Sequence, residues 1–509
     1  MTDNAQGNKR IAKNSLFMSL RMVFVLSLTF YATRAILEKL GQIDYGVYNT
    51  VCGFVSLFSF LNLSISNGIQ RFYNFELDRN GTKGACRVYN TALRIQVITA
   101  LLLLLIIEVA GIWYINNKLV CPADRLDAAM WAFHFSAVGF VLTILQAPYS
   151  AAVMAHEKMD FYALVSVLDA FLKLGIVFML PFISYDSLAT YAALYASINL
   201  LNLILYAFYA KWHFSEIAFR KLIDLKLFRS MICFSGWNIF GSFSGIMKEQ
   251  GINLIINFFC GPTVNAARAL AAQVNAGLMA FVSNIIIPVR PQVVQSYANQ
   301  NYDRTLRLTY GVSRTTSCVI ALITLPIILD THFILHLWLG DKIPEYTDTF
   351  VIIVILISFV NNLNSAVSGV IHASGKMMLY QTVCSTVSLM CIPTAYLLLK
   401  YGYSPNYALL MVLLWTTLSQ YVSLLIMKRV ICFTLTSYAM EVLWPLAKMM
   451  ALSAIIPLTI RLTMDEGWVR FLLIGTTSVL TTTLCSYRLA LHDTEREMIK
   501  EYCKKFLSR

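Results

Sequence analysis

Charge is scarce in this chain. Of its 509 residues only 13% are charged, against 58% hydrophobic, and mean hydropathy is +0.64. Soluble domains carry about 25% charged and 45–50% apolar residues, and even a large soluble core needs a polar exterior. The shortage excludes an ordinary water-soluble fold and makes lipid the solvent for most of the sequence.

Catalytic signatures are missing too. There is no Walker A loop, no H-E-x-x-H, no G-x-S-x-G and no zinc-ligand set. The cysteines number 11, an odd count without a C-x-x-C pair. Most of them (Cys52, Cys233, Cys318, Cys384, Cys391 and Cys485) sit in apolar runs, where cysteine acts as a small hydrophobe. Cys121 and Cys260 fall in expected outside loops, but spacing alone does not pair them. His332 and His336 stand one helical turn apart, half a metal site without a third ligand. No metal or cofactor is expected, and the chain does not read as an enzyme.

What is present is a succession of apolar runs. A membrane helix needs about 20 mostly apolar residues, and that ruler marks spans near 14–37, 46–68, 90–115, 128–153, 160–183 and 188–210. A second set follows near 230–258, 264–289, 311–335, 348–373, 379–399 and 406–427. Two more lie near 441–461 and 468–487. The expected fold is an all-α polytopic membrane protein of about fourteen spans. The first run is too long for a signal peptide and contains Arg21 and Arg34.

Lysine and arginine give the orientation. One side collects Lys9, Arg10 and Lys13, then Arg71, Arg79, Lys83 and Arg87, and later Lys428, Arg429 and Arg488. By the positive-inside rule that side is cytoplasmic, and an even number of spans leaves both termini there. The net charge of +13 is therefore spread over short loops, which argues against a nucleic-acid partner. The outside loops are short as well, the longest running over 116–127, so they leave no room for an extracytoplasmic catalytic domain.

The order of spans implies a six-helix lobe over 1–210, a linker over 211–229, a second six-helix lobe over 230–429, and two extra helices with a basic tail over 430–509. Phe219, Leu222, Ile223, Leu225 and Phe228 in the linker suit an interfacial helix. In the tail, Met498, Ile499, Tyr502 and Phe506 share a face opposite Lys500 and Lys504. A weak repeat supports duplication: laying Ser15 on Ser235 also lays Gly41 on Gly261 and Gly46 on Ala266. Duplicated halves with substrate bound near the midplane are a common transporter plan.

Ionisable groups within spans are costly and mark function. The basic ones are Arg21, Arg34, Arg94, Lys173, Lys248, Arg268 and Lys448; the acidic ones are Glu108, Asp169 and Glu249. Asp169 and Lys173, spaced i,i+4, are expected to neutralise each other, and Lys448 is placed to snorkel. Arg21, Arg34 and Arg268 have no acidic residue within their own expected spans, and with Lys248 they form the candidate anion site. Polar stripes accompany them. Asn49, Ser56, Ser59, Ser66 and Gln70 fall within roughly 100° of arc on span two. Asn238 marks span seven, Asn275 span eight and Asn361 span ten. Glu249, Asp169 and Glu108 are the carboxylates available to couple an ion.

The segments Asn14-Ser15-Leu16, Leu40-Gly41-Gln42-Ile43-Asp44-Tyr45-Gly46-Val47-Tyr48-Asn49 and Gln70-Arg71-Phe72 resemble the opening of bacterial O-antigen and capsular polysaccharide flippases. Those belong to the multidrug/oligosaccharidyl-lipid/polysaccharide exporter superfamily, with the multidrug and toxin extrusion antiporters and the lipid II flippase. The resemblance implies two pseudo-symmetric six-helix lobes plus two C-terminal helices and a cavity opening alternately to each side. It also implies a polyprenyl (undecaprenyl) pyrophosphate-linked oligosaccharide as substrate, moved to the outer leaflet of the bacterial inner membrane for lipopolysaccharide or capsule biosynthesis. Glycan polymerases and other assembly proteins would be its partners. Arginines on the first and eighth helices of such flippases face the cavity, which maps here at helix level onto Arg21, Arg34 and Arg268. The rival readings are a drug or cation antiporter of the same superfamily and, from another class, a membrane glycan polymerase or glycosyltransferase.

Overall fold

The structure, a computed structural model, describes residues 2–219, 224–374, 377–492 and 495–497. It is all-α, and among the described residues there is no strand. Inside a bilayer every backbone N–H and C=O must be satisfied within the chain, which a helix achieves residue by residue. Among the described residues, eleven helices are long and apolar enough to cross a membrane.

Several expected spans share one helix. α1 (Thr2–Ser56) holds span one and the start of span two, on either side of Gly41. α2 (Ser59–Asn117) completes span two, turns at Gly81 and continues as span three. Then come α3 (Leu126–Ala155), α4 (Met159–Met179) and α5 (Ser187–His213), which are spans four to six. α6 (Leu225–Ala298) carries spans seven and eight around Gly261.

α7 (Tyr302–Leu329) and the short α8 (Thr331–Leu339) replace the single run expected over span nine. α9 (Thr347–Ala373) is span ten. Span eleven is split into α10 (Met377–Leu389) and α11 (Cys391–Lys400), because Pro393 has no N–H to offer the carbonyl of Leu389. α12 (Asn406–Lys428), α13 (Leu435–Tyr438), α14 (Trp444–Thr463) and α15 (Trp468–Cys485) complete the chain.

The sequence repeat has a conformational counterpart. Gly41 sits at φ 79°, ψ 172° and Gly261 at φ 81°, ψ −179°. Side chains with a Cβ scarcely visit this region, so both kinks need glycine.

The chain divides into two compact units, 1–269 and 270–509. In unit 1 one core gathers Val47, Leu103, Ile107, Phe133 and Ile144, and a second gathers Ile69, Tyr73, Val88 and Met231. In unit 2 the core includes Val367, Ile371, Met427, Tyr438 and Met449.

The connection over 211–229 differs from expectation. Residues 211–213 end α5, 214–219 are not helical, and α6 starts at Leu225. Phe214 and Ile217 insert into the second core of unit 1. Glu216, 3% exposed, accepts from the Tyr73 hydroxyl at 3.0 Å and meets His156 Nε2 at 2.5 Å. These anchors hold residues 214–217 against the helices of unit 1; of the residues expected in an interfacial helix, Phe219 is not helical and Leu225 and Phe228 belong to α6. Leu222 and Ile223 lie outside the described residues, as do Met498, Ile499, Tyr502 and Phe506 of the tail.

Candidate functional site

Unit 1 contains a cavity of about 660 Å³. Both limbs of α1 contribute to it, Thr29 and Thr33 from the first and Tyr48 and Asn49 from the second. α3 supplies Ser136 and Thr143, α4 supplies Asp169 and Lys173, and α5 supplies Tyr191, Tyr195 and Asn199. The last three recur every fourth residue and so share one helical face.

The expected pair on α4 is formed. Lys173 Nζ lies 2.7 Å from Asp169 Oδ2, and Asn202 Nδ2 donates to Asp169 Oδ1 at 2.7 Å. Lys173 also sits 4.7 Å from the centroid of the Tyr195 ring, a cation–π arrangement. Of the polar residues singled out within the spans, Asn49, Ser56, Asp169 and Lys173 therefore meet in this cavity. Asn49 bonds its own helix, Nδ2 donating to Tyr45 O at 2.7 Å.

Arg268 was expected to lack an acidic partner. The structure corrects this: the bend at Gly261 folds α6 back so that Glu249 Oε1 stands 3.5 Å from the Arg268 guanidinium. Arg268 is 8% exposed, and its Nε is buried without a hydrogen-bond partner. Glu108 likewise meets a base, with His134 Nδ1 at 2.8 Å. Each of the three candidate coupling carboxylates thus faces a basic group.

The remaining candidates are dispersed. Arg34 is exposed and Lys248 half-buried. Ser59 donates to Ser56 O at 2.6 Å, at the break between α1 and α2. In unit 2, Asn275 accepts from Ser358 Oγ at 2.6 Å, and the Asn361 carbonyl accepts from Ser365 Oγ at 3.0 Å. The side chains of Arg21 and Asn238 lie outside the described residues. Cys121 and Cys260 are both free thiols. His332 and His336 pair with Asp348 at 3.0 Å and Asp341 at 2.7 Å, and no metal-binding cluster occurs among the described residues.

Two further features of unit 1 were not anticipated. The first is a clamp joining three loops on the expected outer side. Arg125 Nε donates to Asp44 Oδ1 at 2.8 Å, a second guanidinium nitrogen donates to Asp44 Oδ2, and Nη1 reaches Asp186 Oδ2 at 2.6 Å. Burial raises the pKa of Asp44 above the usual carboxylate value, against the opposing pull of Arg125.

The second is the seating of the two glycine kinks. A Cβ on Gly46 would fall 1.9 Å from the Pro262 carbonyl oxygen. Asn265 Nδ2 donates to Gly46 O at 3.3 Å and to Thr50 Oγ1 at 2.5 Å. The loops paired by the repeat, 41–46 and 261–266, therefore pack on each other.

No family model matches the chain, and no curated protein matches it. Solved structures do. The lipid II flippase MurJ in an inward closed conformation aligns over 92% of this chain and 98% of its own, with a TM-score of 0.71 at 14% identity. An inward-facing multidrug resistance MATE family transporter of the MOP superfamily covers 80% of this chain and 97% of its own, TM-score 0.62, 12% identity. A eukaryotic MATE transporter covers 85% and 98%, TM-score 0.59, 17% identity. The chain has the helical membrane fold of this flippase and these MATE transporters.

Proposed function

We propose that this chain is a flippase for polyprenyl (undecaprenyl) pyrophosphate-linked oligosaccharide. It moves that substrate from the cytoplasmic to the outer leaflet of the bacterial inner membrane by alternating access through a cationic cavity, with both termini cytoplasmic. The observation that carries the reading is the likeness to a lipid II flippase over 92% of this chain and 98% of that one. The excess of basic over acidic residues inside the expected spans supports an anionic substrate.

Arginine offers a pyrophosphate paired, directional donors. Arg268, buried and with Nε unsatisfied, is the residue best prepared for this role, with Arg21, Arg34 and Lys248 as further candidates. An inside-negative potential would favour outward movement of the anion by about 2.3 kcal/mol per charge per 100 mV. The lobes 1–210 and 230–429 would be the moving halves, and glycan polymerases would take the product.

The likeness to MATE transporters at TM-scores of 0.62 and 0.59 favours a second reading, a drug or cation antiporter. That activity calls for acidic groups open to a cation, whereas Glu108, Asp169 and Glu249 each face a base.

The sidedness of polyprenyl-linked oligosaccharide in cells with and without the protein separates the two. Accumulation on the cytoplasmic leaflet without the protein, reversed on re-expression, is the expected result. Unchanged sidedness, in cells without a second flippase, would favour the antiporter.

A further inference from the structure

The cavity in unit 1 offers an unusual combination of groups. Its volume of about 660 Å³ falls within the range of about 300–1,000 Å³ for small-molecule sites. Its two charges cancel, since Lys173 and Asp169 are 2.7 Å apart. A lone cation would meet the Lys173 ammonium, and a lone anion the Asp169 carboxylate.

The uncharged groups point the same way. The hydroxyls of Thr29 and Thr143 donate to carbonyls of their own helices, Val25 O at 2.7 Å and Phe140 O at 2.7 Å. With its hydrogen committed, a hydroxyl oxygen presents lone pairs. The wall is therefore rich in acceptors, as a ligand with many O–H donors requires. Beside it Tyr48, Tyr191 and Tyr195 form an aromatic cluster, with Tyr48 4.8 Å from Tyr191 and 6.4 Å from Tyr195. Tyrosine rings pack on C–H surfaces through their electron-rich faces. An acyl chain would bury the ion pair without replacing its hydration, which is costly.

Acceptor oxygens, one ammonium, one carboxylate, aromatic rings and no net charge are the complement of a neutral sugar. We propose that this cavity receives a sugar residue of the transported glycan, held on Tyr48, Tyr191 and Tyr195 with its hydroxyls read by Asp169 and Lys173. The inference rests on the flippase reading and deepens it, and it gives Asp169 a sugar-binding role in place of ion coupling.

The test places the photocrosslinker p-benzoylphenylalanine at Phe140, which lines the cavity, in the full chain in glycan-producing cells. A control carries it at Leu164, 67% exposed on α4. After irradiation the purified chain is treated with periodate and stained with a hydrazide, which reports the vicinal diols of any attached sugar. The expected result is hydrazide signal at position 140 that depends on irradiation and is absent at 164. In the same cells Tyr195→Leu, and separately the double variant Asp169→Asn/Lys173→Met, should slow appearance of glycan on the outer leaflet about tenfold, the loss of one strong interaction. An adduct at 140 carrying lipid without diols would overturn the proposal, as would full-rate export by both variants. Those outcomes leave the flippase reading intact; sidedness that ignores the protein altogether defeats that reading instead.

Discussion

Arg125 binds Asp44 through two guanidinium nitrogens while a third holds Asp186 at 2.6 Å. One side chain thus joins the kink of α1 to the N-terminus of α5, where Asp186 also caps the helix by accepting from Leu188 N and Ala189 N. Replacing Arg125 by methionine leaves two carboxylates facing each other. Breaking a buried pair costs about 3–5 kcal/mol, and partial exposure lowers this to about 2 kcal/mol here.

The same clamp predicts a pH dependence. Burial raises the pKa of Asp44 and Arg125 opposes the shift. A carboxyl with a raised folded pKa favours the folded state below its unfolded pKa of about 3.9, and loses that contribution as pH rises through the folded value. Without Arg125 the burial acts unopposed and the folded pKa climbs further. The stability gap between wild type and Arg125→Met should therefore narrow between pH 7 and about pH 4, as read by thermal unfolding in detergent. A gap that widens on acidification would refute this account of Asp44.

Gly41 and Gly261 share one backbone conformation, so alanine at either should carry a similar penalty. Residues forced into such regions cost about 1–3 kcal/mol. Alanine at Gly175 adds a methyl group to open space and supplies the control. Unequal losses at 41 and 261 would show that the two kinks are not mechanically equivalent.

Gly46 raises a different question, because its conformation is ordinary and its surroundings are not. Any Cβ there meets the Pro262 carbonyl. Gly46→Val should separate the two kinks and destabilise by about 1–3 kcal/mol or more. Cys260, half-buried beside the α6 kink, should then react faster with maleimide than in wild type. An unchanged labelling rate would mean the kinks stay seated.

Glu249 stands 3.5 Å from Arg268 and competes for it. Glu249→Gln should strengthen binding of inorganic pyrophosphate to the purified chain several-fold, about 1 kcal/mol, as read by calorimetry. Arg268→Lys should bind less well than wild type, because it loses the guanidinium's paired geometry. Equal binding by all three proteins would remove Arg268 from the anion site.

Much of the architecture was legible because lipid imposes it. Span lengths follow from bilayer thickness, and the spans map onto helices even where a glycine kink joins two of them. The repeat was legible at Gly41 and Gly261, since left-handed backbone restricts the residue type. The Asp169–Lys173 pair followed from spacing within one helix. The partner of Arg268 did not, because it depends on the fold-back of α6 across Gly261. The Arg125 clamp joins three loops distant in sequence and left no local signal. The tyrosine cluster had one, the Tyr191–Tyr195–Asn199 stripe, whose aromatic members suit a lipid-facing surface as well as a cavity wall. The anchoring of residues 214–217 left no sign, because Phe214 and Ile217 look equally suited to lipid and to a protein core.

The Asp169–Lys173 and Glu249–Arg268 pairs of unit 1 also differ in when they can form during biogenesis. Asp169 and Lys173 lie one turn apart, so α4 can leave the translocon already self-neutralised, as soon as it is helical. Arg268 meets Glu249 across the Gly261 bend, so the limb carrying Arg268 gains its acidic partner only when the hairpin closes. The two limbs should then partition into lipid together, with the second unable to insert stably by itself.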